Sequence, residues 1–155
     1  MKLKSKTIIV CLFLLCVGGL HAQSADFMTQ LLETKNVTYG QVCYFTALYQ
    51  GSIPETASQQ DAFDFINKSG YVYKDSVTAA DSVTMADLSY LIIKTFNVKG
   101  GIMYSLFPTP RYALRLLESD GLVSQFTDPS GKIKGSDFIA LFIRCLEYYD
   151  KAGSK

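Results

Sequence analysis

Three groups of residues in this chain could do chemistry by type and spacing. The first is Asp128-Pro129-Ser130-Gly131-Lys132-Ile133, which has the oxygen rhythm of a helix–loop–helix calcium loop. With Gly131 at the sixth loop position, Ile133 takes the eighth, Asp128 and Ser130 the third and fifth, and Asp137 the twelfth. The first position is then Phe126, which has no oxygen to offer, and the twelfth is a short Asp where a bidentate Glu belongs. The earlier polar loop puts Ser76 first and Asp81 in the glycine place, so it fails in the same way. A solvated interhelical turn is the better account, and no metal ligands are assigned. Asp128, Ser130 and Asp137 stand as the alternative set.

The second group is the thiols. Cys43 and Cys145 lie in the body of the chain, and Cys11 and Cys16 near its start. A nucleophilic thiolate needs a base beside it. The only histidine is His21, so nothing after it can supply imidazole. That removes histidine acid–base catalysis, histidine triads and histidine metal sites together. No catalytic residue and no cofactor is expected. In an oxidising compartment Cys43 and Cys145 are the one disulfide pairing open to the body of the chain. The alternative is two buried thiols, which the register of the repeats favours.

The third group is the aromatics, ten Tyr and ten Phe. Most fall at helical spacing and read as core. The apolar connector at 102–108 and Tyr148-Tyr149 are different: exposed, they would form a partner surface. Asn36-Val37-Thr38 and Asn67-Lys68-Ser69 match the glycosylation sequon, a weak pattern that a bacterial source would void.

These residues must be positioned by something, and the chain repeats itself. Val37-Thr38-Tyr39-Gly40-Gln41-Val42 matches Val83-Thr84-Met85-Ala86-Asp87-Leu88 at an offset of 46, and Ile133-Lys134-Gly135-Ser136-Asp137-Phe138 lies 50 further on. A second block, 62–72, matches 113–123 at an offset of 51. Each unit reads as a helix, a glycine stop, a short extended piece, a polar loop and a capped second helix. Such a unit buries its apolar face only against its copies. The expected repeats are 24–50, 56–97 and 109–149, the first compressed. The expected helices run over 24–34, from Thr38 to Tyr49, from Thr56 or Ser58 to Gly70, from Thr84 to Phe96, from Thr109-Pro110 to Gly121, and from Lys134 or Ser136 to Tyr149. Tyr71-Val72-Tyr73 is expected to run extended, and 151–155 to form a disordered tail. In this register Cys43 aligns with Ile139, and Cys145 lies six residues further on, roughly 9 Å along a helix axis. A disulfide wants Cα atoms within about 7 Å.

The first 22 residues read as a signal peptide. Lys2, Lys4 and Lys6 form a basic start, Thr7 to Leu20 an apolar core, and Leu20-His21-Ala22 a cleavage site. The apolar run is short for a membrane span. An uncleaved anchor, or a lipidated Cys16, are the competing readings. The whole chain has 15 basic and 14 acidic residues. Without the three early lysines the balance is 12 − 14 = −2. No long run of one sign remains. Neither a nucleic-acid footprint nor a polybasic membrane-surface site is indicated.

The order of these blocks resembles the S-layer homology family. Gly70-Tyr71 and Gly121-Leu122 stand at its glycine step, and Val83-Thr84-Met85-Ala86-Asp87-Leu88 stands at the motif that opens its second helix. The resemblance covers most of 37–147. It implies three repeats in a pseudo-threefold helical prism and attachment to cell-wall polymers or outer-envelope layers. The family's binding arginine falls at Tyr39, Met85 and Gly135, none of them basic. The resemblance therefore implies the fold more than the glycan contact.

The expectation is an all-α, exported, non-enzymatic module over 23–150, periplasmic or envelope-associated. Its partner would be an envelope protein or a cell-wall polymer, met through a groove between repeats or through the 97–110 connector. It has no nucleic-acid partner and no membrane span once the signal is cut. The alternatives are an EF-hand-like calcium-binding protein and, more weakly, an apolar-ligand carrier with an internal cavity.

Overall fold

The computed structural model describes residues 25–153, with side chains described as far as residue 149. The expected signal peptide, with Cys11, Cys16 and His21, lies outside the described residues, as does the end of the tail. The described residues form an all-helical fold of seven helices. These are α1 (25–33), α2 (Tyr39–Tyr49), α3 (Gln59–Lys68), α4 (Met85–Thr95), α5 (Ile102–Leu106), α6 (Pro110–Ser119) and α7 (Gly135–Gly153). Strand-like pairing among the described residues is confined to two isolated bridges, Thr38 with Ser82 and Thr84 with Lys132.

Side-chain caps fix three helix starts. The Thr38 hydroxyl accepts from the Gln41 amide at 3.3 Å, and the Gln41 side chain accepts from the Thr38 amide at 3.0 Å. Ser58 and Asp61 make the same reciprocal pair. The Thr84 hydroxyl accepts from the Asp87 amide at 3.2 Å. Each cap satisfies amides that the first helical turn leaves unbonded. Thr109 makes no side-chain cap, and α6 begins on Pro110 alone.

Four helix ends share one device. After α2, α3, α4 and α6, the residues Gly51, Gly70, Asn97 and Gly121 take positive φ. In each, the next residue's amide reaches back to the last turn: Ser52 to Ala47, Tyr71 to Ile66, Val98 to Ile93, and Leu122 to Leu117. These are Schellman ends, in which a left-handed residue turns the chain out of the helix while the last carbonyls stay bonded.

Helices α3 and α6 bury one stripe each: Ala62, Phe63 and Ile66, then Ala113, Leu114 and Leu117. Helices α2 and α4 are buried on most sides. α3 packs on α2, and α6 on α4. Phe142 of α7 joins them, its ring 5.0 Å from Phe45, 5.2 Å from Tyr49 and 5.2 Å from Phe96.

At the other pole the helix starts are laced together. The Tyr39 amide donates to Asp81 O, the Met85 amide to Gly131 O and the Gly135 amide to Thr34 O, each at 2.9 Å. The bonds form a cycle: each helix start holds the loop that precedes another. Gly135 is needed there. A Cβ on it would land on the Leu31 carbonyl at the end of α1.

Two expectations change. The connector contains a short helix, α5, whose five residues are too few to display a helical period. The last helix continues past Tyr149 to Gly153, so the expected disordered tail is helical over 151–153.

Candidate functional site

The three residues of the calcium alternative do not converge as ligands. The Asp128 carboxylate accepts from the Ser130 amide at 2.9 Å and from the Ser130 hydroxyl at 2.7 Å. Those bonds, the hydroxyl's first, hold its pKa below the usual carboxylate range. This is the local bonding of an Asx turn, which shapes the loop by itself. Asp137 sits in the first turn of α7 and lines a different feature, a groove of about 270 Å³ that Asp128 does not border. Among the described residues, no three of His, Cys, Asp and Glu gather as a metal site.

Cys43 in α2 and Cys145 in α7 are both free and fully buried, two thiols in place of the possible disulfide. The repeat register gives a reason: Cys145 lies six residues past the position that aligns with Cys43. Burial pushes each pKa up to about 12, so neither is a thiolate at neutral pH.

The groove beside α7 runs between Met85 at the start of α4 and the loop 122–133, with Lys132, Arg144 and Asp137 on its walls. The Lys132 ammonium is engaged, donating to the Ser82 carbonyl at 2.9 Å. Tyr39, Met85 and Gly135, where the resemblance would place a binding arginine, are all buried. Tyr39 and Gly135 belong to the core and the helix joint, and Met85 lies on the groove wall.

Tyr39 points into a polar knot. The Asp87 carboxylate accepts from Lys74 Nζ at 2.7 Å and from the Thr84 hydroxyl at 2.6 Å, and the Tyr39 hydroxyl donates to it as well. Burial alone would raise the Asp87 pKa. The three donors and the lysine's charge outweigh it, and the carboxyl stays below its ordinary value. Every member is satisfied by the others, so the knot is structural.

The connector is the surface that stands out. α5 opens after Gly100-Gly101 and closes before Pro108. The Ser105 amide donates to Gly101 O at 3.0 Å and the Phe107 amide to Met103 O at 2.9 Å. One side chain turns inward: Tyr104, half-buried, whose hydroxyl is sealed off without a hydrogen-bond partner. Burial and the nearby Tyr90 push its pKa up to about 12. Four large apolar side chains turn outward: Ile102 is 80% exposed, Leu106 64%, Phe107 55% and Met103 51%. Beside them a shallow recess of about 260 Å³ is floored by Tyr112, Leu116 and Arg115 of α6.

Tyr148 is also exposed. Tyr149 is not, since its hydroxyl donates to the Asp120 carboxylate at 2.8 Å and its ring stacks near Phe96. Sequence reasoning marked this connector but missed that Tyr104 anchors it. The signal was faint: one polar-tipped aromatic among four apolar residues. No family model, curated protein or solved structure matches this chain.

Proposed function

We propose that this chain is an exported, non-enzymatic cell-envelope module of three degenerate repeats, similar to S-layer homology domains. It engages another envelope component through the outward face of α5. The observation that carries this reading is the exposure of Ile102, Met103 and Leu106 on one short helix and of Phe107 at its end. Contiguous apolar surface of that kind is the mark of a contact site. The repeat reading draws support from the cycle of amide bonds at Tyr39, Met85 and Gly135.

The two other readings have less behind them. Calcium binding would have to take Asp128 away from Ser130 and would still lack an oxygen at Phe126. A carrier needs an enclosed cavity, and the clefts beside α1, α5 and α7 open to solvent.

The test is retention on isolated native envelopes, with washed glycan in parallel, for the natural chain and for Ile102→Asp/Leu106→Asp. Retention by envelopes that the double variant loses, at unchanged melting temperature, is the expected result. Equal retention of both chains would remove α5 from the account. Retention by bare glycan alone would move the site to the inter-repeat groove.

A further inference from the structure

We infer that the partner of α5 is an anionic lipid surface, with α5 seated as an apolar wedge among acidic headgroups. The inference rests on the reading of α5 as the contact face, and it adds what covers that face.

The chain as a whole shows no polybasic run, but the charge local to α5 points to an acidic partner. Between Asp87 and Glu118 the chain carries Lys94, Lys99, Arg111 and Arg115, and no acid at all. The rest of the chain after residue 22 carries excess acid. Of these, Arg115 lies beside α5, and Lys99 and Arg111 flank it along the chain. Arg115 lines the recess beside Ile102 and Met103. Arg111 lies one helical turn earlier on α6, next to Tyr112, whose ring is 6.3 Å from Phe107. Lys99 stands exposed just before Gly100-Gly101, where α5 begins. The Lys94 ammonium lies 5.3 Å from the Tyr90 ring, and Tyr90 neighbours the anchor Tyr104. Arg115 makes a long contact to Glu118 at 3.4 Å, and its side chain is still 64% exposed.

The shape favours lipid over protein. Protein contacts concentrate their energy in pockets that enclose an anchor. Ile102 is 80% exposed on the rim of a shallow recess, so most of its side chain stands clear of the body. A fluid interface takes such a wedge without a matching surface. Apolar side chains then enter the acyl boundary while nearby Lys and Arg meet the headgroup phosphates. No described helix is long and apolar enough to cross a membrane. Contact would be with one leaflet.

The chain has no tryptophan. Phe107→Trp therefore places a single reporter at the end of α5. Phe126→Trp, at a 97% exposed position on another loop, is the control. The full chain is titrated with vesicles of phosphatidylcholine alone and of an equimolar mixture with phosphatidylglycerol. The expected result is a blue shift at position 107 with the anionic vesicles only, and none at position 126. Adding Lys99→Gln should weaken partitioning roughly five-fold, as should Arg111→Gln. Four outcomes would overturn the inference: no shift at 107; equal shifts with both lipids; equal shifts at both positions; or a shift that grows with protein concentration without lipid, which would mean a second copy covers α5. If vesicles fail while α5-dependent retention on envelopes persists, the lipid is wrong and the module reading stands. If that retention fails too, both fall.

Discussion

Lys74 Nζ sits 2.7 Å from the Asp87 carboxylate, with the lysine side chain 48% exposed and the aspartate side chain 4%. The ion pair is therefore one-sided. Asp87 depends on its donors, while Lys74 keeps much of its water. Asp87→Ala should cost about 1–3 kcal/mol near neutral pH, through lost hydrogen bonds to Lys74, Thr84 and Tyr39. The folded-state pKa of Asp87 is depressed, so its contribution is complete above the ordinary carboxylate value near 3.9. That contribution fades as pH falls through the lower folded value. Denaturant midpoints of the natural chain and Asp87→Ala should accordingly converge in acid. A constant gap down to about pH 2 would show that the carboxylate's charge does not matter.

Phe142 touches the rings of Phe45, Tyr49, Phe96 and Phe138, from α2, the end of α4 and its own helix. Phe142→Ala should lose about 3–5 kcal/mol in urea unfolding. Ile143→Ala, next along the chain and 48% exposed, should change little. Similar losses at both positions would mean that α7 faces elsewhere.

Two glycines should respond in opposite directions. Gly135→Ala drives a methyl into the Leu31 carbonyl and should cost at least about 1–3 kcal/mol. Gly101 has ordinary dihedrals, φ −64° and ψ 177°, with open space around it. Gly101→Ala should stabilise by about 0.4–1 kcal/mol by narrowing the unfolded ensemble. Thermal melts of the two variants decide the matter, and a neutral Gly135→Ala would contradict the α1–α7 joint.

Cys43 and Cys145 should resist alkylation at neutral pH in the native chain and react in denaturant without added reductant, as read by peptide mass mapping. Burial holds both pKa values up to about 12, which supplies the native resistance. Failure to react in denaturant until reductant is added would reveal a disulfide.

Local rules were enough to read most of the helices. Thr38, Ser58 and Thr84 announce helix starts because a hydroxyl there bonds an amide two or three residues away. Gly51, Gly70 and Gly121 announce ends because they reach positive φ without strain. The all-helical class follows from these signals and the apolar stripes between them. Long-range relationships were not readable. The tail's helical extension and α5 lacked enough residues to show a period. The burial of Tyr39, Met85 and Gly135 was also not readable from the repeat pattern.

What the amino-acid order determined by itself was six of the seven helices and most of their starts and stops, since caps and turns act over a few bonds. The tertiary structure alone decided which residues meet. It gathered Phe45, Phe96 and Phe142, from three separate helices, into one cluster. It kept Cys43 and Cys145 apart as thiols. It left Ile102 and Leu106 uncovered beside Arg115. Those outcomes depend on how whole helices pack, and packing is settled by shape and burial summed over the entire core, not by any local stretch of chain.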